Sequence, residues 1–153
     1  MSTRRWFGRV LLVPVVVAVA ACGQPDPFLP TGPSTPPTVR SDTFSGILTR
    51  NSAYTHPFEV ADAGVVSVFL LSSADPAHPE NNAIPLGVSL GTWNGTSCAI
   101  VIASDNTVPV NSSDPLKGKL TGQATAAGNL CVRVYDVGFV PAAATYELLI
   151  DHY

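Results

Sequence analysis

Apolar side chains recur at every second position through much of the chain after residue 40. Val66, Val68 and Leu70 alternate with Ser67 and Phe69; Leu130, Val132 and Val134 with Cys131, Arg133 and Tyr135; Tyr146, Leu148 and Ile150 with Glu147, Leu149 and Asp151. A period of two places one set of side chains on a buried sheet face and the other set outside. Further strands are predicted over 42–49, 54–60, 85–92, 97–103 and 116–124. Turn-rich runs divide them: Asp62-Ala63-Gly64, Asp75 to Asn82, Asn94-Gly95, Asp105 to Asp114 and Ala126 to Asn129. No segment carries a long period-3.6 stripe, and there is no internal repeat. About eight short strands over residues 41–153 predict an all-β fold, an antiparallel β-sandwich of jelly-roll-like type. At 113 residues this segment is long enough for a core of its own.

The amino end follows a different pattern. Arg4, Arg5 and Arg9 precede twelve apolar residues, Val10 to Ala21, and the small Ala20 and Ala21 precede Cys22. A positive start, an apolar middle and a small-residue end are the parts of a secretory signal peptide. Twelve helical residues span about 18 Å, well short of a hydrocarbon core of about 30 Å. Pro14 interrupts the run as well, so a cleaved leader over 1–21 is expected rather than a spanning helix.

Val19-Ala20-Ala21-Cys22 resembles the lipobox of bacterial lipoproteins. The resemblance implies cleavage before Cys22 and a thioether-linked diacylglycerol on its sulfur, usually with a further acyl chain. It implies a membrane anchor in the bacterial cell envelope, with Gly23 after the cysteine favouring the outer membrane over the inner in a didermic organism. The alternative is an ordinary secretory leader that ends near a cysteine. Thr3-Arg4-Arg5-Trp6-Phe7 also resembles a twin-arginine export signal, although the Val-rich core is more typical of the general secretory route.

Between the leader and the strands lies GQPDPFLPTGPSTPPTVR, residues 23–40, with six prolines in eighteen positions. Proline fixes φ and lacks a backbone donor, which excludes helix and inner strand. Extended polyproline advances about 3.1 Å per residue, so a disordered tether over 22–40 reaches up to about 55 Å. Pro33 and Pro36 also stand in the PxxP spacing of ligands for proline-recognising domains; a spacer is the expected role beside an anchor. Without the leader, five basic residues face eleven acidic ones, a net charge of −6. That balance offers nucleic acid no basic patch.

Cys98 and Cys131 both fall in predicted strands, and exported proteins meet oxidising conditions in many bacteria. A disulfide joining the two strands is expected, with two buried free thiols as the alternative. A zinc site fits less well, because neither cysteine has the paired spacing or the nearby histidine of a zinc ribbon.

Phe58-Glu59-Val60 with Gly64-Val65-Val66-Ser67-Val68, and Gly128 to Gly138 with Thr145-Tyr146-Glu147-Leu148, resemble the opening and closing strands of bacterial pre-peptidase C-terminal domains. The likeness implies a small β-sandwich, generally non-catalytic, with roles in substrate binding or solubility. The cysteine pair and the missing peptidase depart from that pattern.

Candidate chemistry is sparse. His56, His78 and His152 are the three histidines, and no G-x-S-x-G elbow accompanies them, so surface or loop positions are expected and no hydrolase triad. Asp105, Asn106, Asn111, Ser113 and Asp114 gather oxygens in one predicted loop but lack the spacing of a calcium loop; no metal or cofactor is expected. Asp136, before Gly138, suits a turn. Trp93, Tyr54, Tyr135 and Phe139 are possible ligand-facing aromatics, for a glycan or an envelope protein, with core packing as the alternative. The expected protein is a non-enzymatic, lipid-anchored binding or accessory sandwich. The alternatives are a structural envelope component without a soluble ligand and a small secreted hydrolase.

Overall fold

A computed structural model describes residues 36–107 and 118–153, with the side chains of 104–107 left aside. Cys22, the predicted leader and the predicted tether up to residue 35 lie outside the described residues, as do Asn111, Ser113 and Asp114. The described chain is all β. Eight strands follow in order: β1 Arg40–Thr49, β2 Ala53–Val60, β3 Gly64–Ala74, β4 Leu86–Trp93, β5 Cys98–Thr107, β6 Lys119–Ala124, β7 Gly128–Asp136 and β8 Ala143–His152.

They form two four-stranded antiparallel sheets. Sheet A has the order β1-β8-β3-β6 and sheet B the order β2-β7-β4-β5. Every connection crosses from one sheet to the other except the β4–β5 hairpin, which makes the sandwich a jelly roll. The period-two residues decide which face is buried. Val66, Val68, Leu70, Leu148 and Ile150 of sheet A face Leu86, Val88, Leu90, Val132 and Val134 of sheet B, and all ten are almost wholly buried. Moving any of these strands by one residue would expose its whole apolar set, so burial fixes the register.

The ladders also define two ends. Arg40 pairs with His152, and the backbone N–H of Ala61 donates to the carbonyl of Tyr153, so the chain enters and leaves at the same near end. Thr49, Ala53, Leu86 and Asp136 lie at the far end, where the β1–β2 turn and the β3–β4 and β7–β8 connections gather.

Strand β5 departs from the sequence expectation twice. It continues to Thr107, because Leu86, Gly87 and Val88 of β4 pair with Thr107, Asn106 and Asp105. Asp105, Asn106 and Thr107 are therefore strand rather than the predicted turn. Its ladder is also broken: Leu90 pairs with Ala103 while Gly91 pairs with Ile100, leaving Val101 and Ile102 as extra residues. Such a bulge bends and twists its strand. It leaves Val101 70% exposed and packs Ile102 against the core. Gly91 is required at this point, since a Cβ there would lie 2.1 Å from the carbonyl oxygen of Ala99, a backbone atom.

The predicted disulfide forms. Cys98 of β5 and Cys131 of β7 are bonded, with their Cα atoms 5.8 Å apart. Cys131 pairs with Gly91 of β4, the strand that lies between β7 and β5 in sheet B.

Candidate functional site

The far end carries a loop built around one carboxylate. Asp136 closes β7, and its Oδ1 accepts hydrogen bonds from the backbone N–H groups of Gly138, Phe139 and Val140 at 2.7, 3.0 and 3.1 Å. Its Oδ2 accepts from the N–H of Asn51, in the β1–β2 turn, at 2.8 Å. Arg50 braces the same loop from that turn, donating through Nε to the carbonyl of Val140 at 3.1 Å and through Nη2 to that of Pro141. The expected turn role of Asp136 is thus extended: it ties two connections together.

Burial alone would push the Asp136 carboxyl up, but the N–H donors of Asn51, Val140, Gly138 and Phe139 outweigh it and hold the carboxyl below its ordinary value of 3.8. A folded-state pKa below the unfolded one means the unfolded chain binds the proton more readily. The stability contributed by Asp136 is therefore present above the ordinary value and lost as pH falls through the lowered one. Asp136→Ala is expected to cost about 2 kcal/mol at neutral pH, since hydrogen bonds to a charged group are the stronger kind and their sum is not additive. Urea melts of both proteins at pH 7 and at pH 3 check this. The gap between them should narrow in acid, and equal stabilities at pH 7 would contradict the role.

On this braced loop Phe139 stands 64% exposed. Two other large apolar residues are exposed within a few rungs of the β1–β2 turn: Ile47, at 58%, on the outer face of β1, and Tyr54, at 55%, near the start of β2. The far corner thus combines a fixed backbone with apolar side chains in water.

The four aromatics singled out from the sequence do not form one platform. Tyr54 and Phe139 belong to the far corner. Trp93 and Tyr135 lie on the outward face of sheet B and are half-buried. Tyr135 covers Gly87, its pairing partner, where a Cβ would fall 2.2 Å from the phenol ring. Trp93 lines a shallow basin of about 350 Å³ together with Thr55, Thr96, Ser97, Cys98 and Arg133. A larger groove of about 460 Å³ lies at the near end, along Val101, Ile102 and the alanine-rich β6–β7 turn.

Two of the three histidines are not surface residues. His152 is 2% exposed, on the inner face of β8, with Nε2 3.1 Å from Asp42 Oδ2 and its ring against Phe58. His56, on the inner face of β2, is half-buried, stacked on Phe44, and 2.7 Å through Nε2 from the Tyr146 hydroxyl. Both turn inward because their strand registers place them beside the core positions Ile150 and Phe58. Burial lowers the His56 pKa, and burial followed by the neighbouring Tyr54 raises the Tyr146 hydroxyl to about 12. These shifts favour the neutral form of each, a packing pair rather than an acid–base couple. His78 is the exposed one, in the β3–β4 connection, 3.1 Å from Asp75 Oδ2. Among the described residues no three His, Cys, Asp or Glu side chains gather as a metal site.

No protein-family model matches this chain. No curated protein matches it either. Among solved structures it is similar to PliG of Aeromonas hydrophila, a periplasmic inhibitor of g-type lysozyme, with 14% identity, 72% of this chain and 83% of that chain covered, and a TM-score of 0.44. It is also similar to an antigen and type I fimbria protein of Burkholderia pseudomallei, with 13% identity, coverage of 76% and 99%, and a TM-score of 0.25. Likeness at this level says nothing of what the chain binds. The resemblance to pre-peptidase C-terminal domains gains no support from these comparisons.

Sequence reasoning passed over Arg50 and Arg133. A single arginine in a strand or turn belongs to no motif. The signal that was available for Arg50 is its place in the Thr49-Arg50-Asn51-Ser52 turn, between two strands.

Proposed function

We propose that this is a non-enzymatic envelope protein, held by lipid on Cys22 and carrying its jelly roll as a module that docks a protein partner through the far corner. The observation that carries the reading is Phe139: a phenyl ring in water, on a loop locked by a carboxylate and a guanidinium. Ordering a loop before binding removes part of the entropic cost of association, and buried aromatic anchors dominate interface energies. The tether joins at the opposite end of the sandwich, beside Arg40 and Tyr153. The far corner lies at the other end of the sandwich from the point where the chain enters β1.

Site-specific photo-crosslinking in intact cells tests this. A photoreactive phenylalanine analogue at position 139 is expected to give one discrete adduct with another envelope protein. The same analogue at Thr121, exposed on the outer face of sheet A, should give none. No adduct from 139, or the same adducts from both positions, overturns the docking role.

A further inference from the structure

The outward face of sheet B is a feature distinct from the loop that carries Phe139, although its basin reaches Ala53 at the far end. Its basin is floored and walled by chemically distinct groups. Trp93 supplies a flat apolar surface at the end of β4. Thr55, Thr96 and Ser97 supply hydroxyl groups around it. Arg133, exposed and paired across the ladder with Thr55 on one side and Ser89 on the other, supplies a cation.

Three observations make this more than a dent. The rim is fixed: Asn94 Oδ1 accepts from the N–H groups of Thr96 and Ser97, at 2.9 and 2.8 Å, and Asn94 Nδ2 donates to Ser97 Oγ at 3.0 Å. The base is fixed too, because the Cys98–Cys131 bond ties β5 to β7 beside Trp93. Third, the Arg133 guanidinium lies over the Tyr135 ring, 6.0 Å from its centroid, and pairs with no carboxylate among the described residues.

We propose that this basin binds a sugar bearing a carboxylate. A pyranose ring presents an apolar face that stacks on indole, and its hydroxyls match the three side-chain hydroxyls. A guanidinium recognises a carboxylate through two parallel N–H···O bonds. An extended peptide fits less well. Beneath Trp93 and Arg133 the backbone groups of β4 and β7 are already paired on both sides, leaving none for strand addition there. The volume, about 350 Å³, is at the small end of ligand sites and suits a short saccharide.

Trp6 lies in the leader that this reading removes, so Trp93 is the sole indole emitter of the processed protein. The purified processed protein is titrated with a disaccharide ending in glucuronic acid, and with its neutral glucose counterpart, by Trp93 emission and calorimetry together. The acidic sugar should bind saturably in the millimolar range or tighter. The neutral sugar should bind at least about tenfold more weakly, and added salt should narrow the difference. Arg133→Gln should remove the preference while keeping the parent melting temperature. Should Arg133→Gln lower the melting temperature, Arg133→Lys, which keeps charge but loses the fork, should still lower affinity for the acidic sugar. Equal affinity for both sugars, an unchanged preference in either arginine variant, binding only of a short peptide with a free C-terminal carboxylate, or no signal by either method overturns the proposal. The adduct from position 139 should persist in Arg133→Gln cells, so the two readings fail independently.

Discussion

Cys22→Ala is expected to release the processed protein from the membrane fraction into the soluble one. Each buried methylene of an acyl chain contributes about 0.8 kcal/mol, and a single chain holds only marginally, whereas two or more anchor stably. With the sulfur gone there is no site for the diacylglycerol. The remaining attraction is weak, because a net charge of −6 after leader removal repels an anionic bilayer. Fractionation must separate processed from unprocessed chains, since an uncleaved apolar run, Val10 to Ala21, is itself expected to keep a precursor at the membrane. Mass spectrometry of the wild-type protein supplies the companion result: a first residue at Cys22, heavier by its lipid. A processed Cys22→Ala form that stays with the membrane, or an unmodified thiol in the wild type, rules out the anchor.

The fold was legible in the sequence where burial and period agree. The alternations at 66–70, 130–135 and 146–151 fall within β3, β7 and β8, and the every-second-residue sets from Val66, Leu130 and Tyr146 are core residues. Alternation reports the face a residue occupies and not the neighbour it meets, so the strand order needed the structure. The β5 bulge was hidden because Ala99 to Ala103 are all apolar and small or branched, a run without period. Asp105 and Asn106 read as turn residues by their side chains, yet their backbones pair with β4. His152, next to last, read as a surface residue; its burial follows from pairing opposite Arg40 and from the nearby carboxylate of Asp42. Of the candidate site, the aromatics could be picked out one at a time, and the Asp-x-Gly turn was visible at Asp136. Their separation into a far corner and a side basin, and the part of Arg50 and Arg133 in each, depend on contacts between strands remote in sequence.

Removing the disulfide is expected to have the largest effect on stability. Cys98 and Cys131 are 33 positions apart, and the chain-entropy relation gives about 4 kcal/mol for a loop of that length. For a domain of this size that corresponds to a fall of about 15 °C in melting temperature. Alanine at both positions is the suitable test. Cys131 is fully buried, and a serine there would bring an unpaired hydroxyl into the interior. The loss should also be uneven. Strand β5 is an edge strand, and its ladder to β4 is interrupted at Leu90 and Gly91, so the bond to β7 replaces part of what the bulge gives up. Hydrogen exchange in the double variant should accelerate first over Cys98–Thr107 and last over β3 and β8, which lie inside sheet A away from the bond. Reducing the wild-type protein should reproduce both the drop and its location, which separates loss of the crosslink from loss of the side chains. A change below about 1 kcal/mol would mean that the bulged edge holds by packing alone, through Ile102 against Leu90 and Gly122.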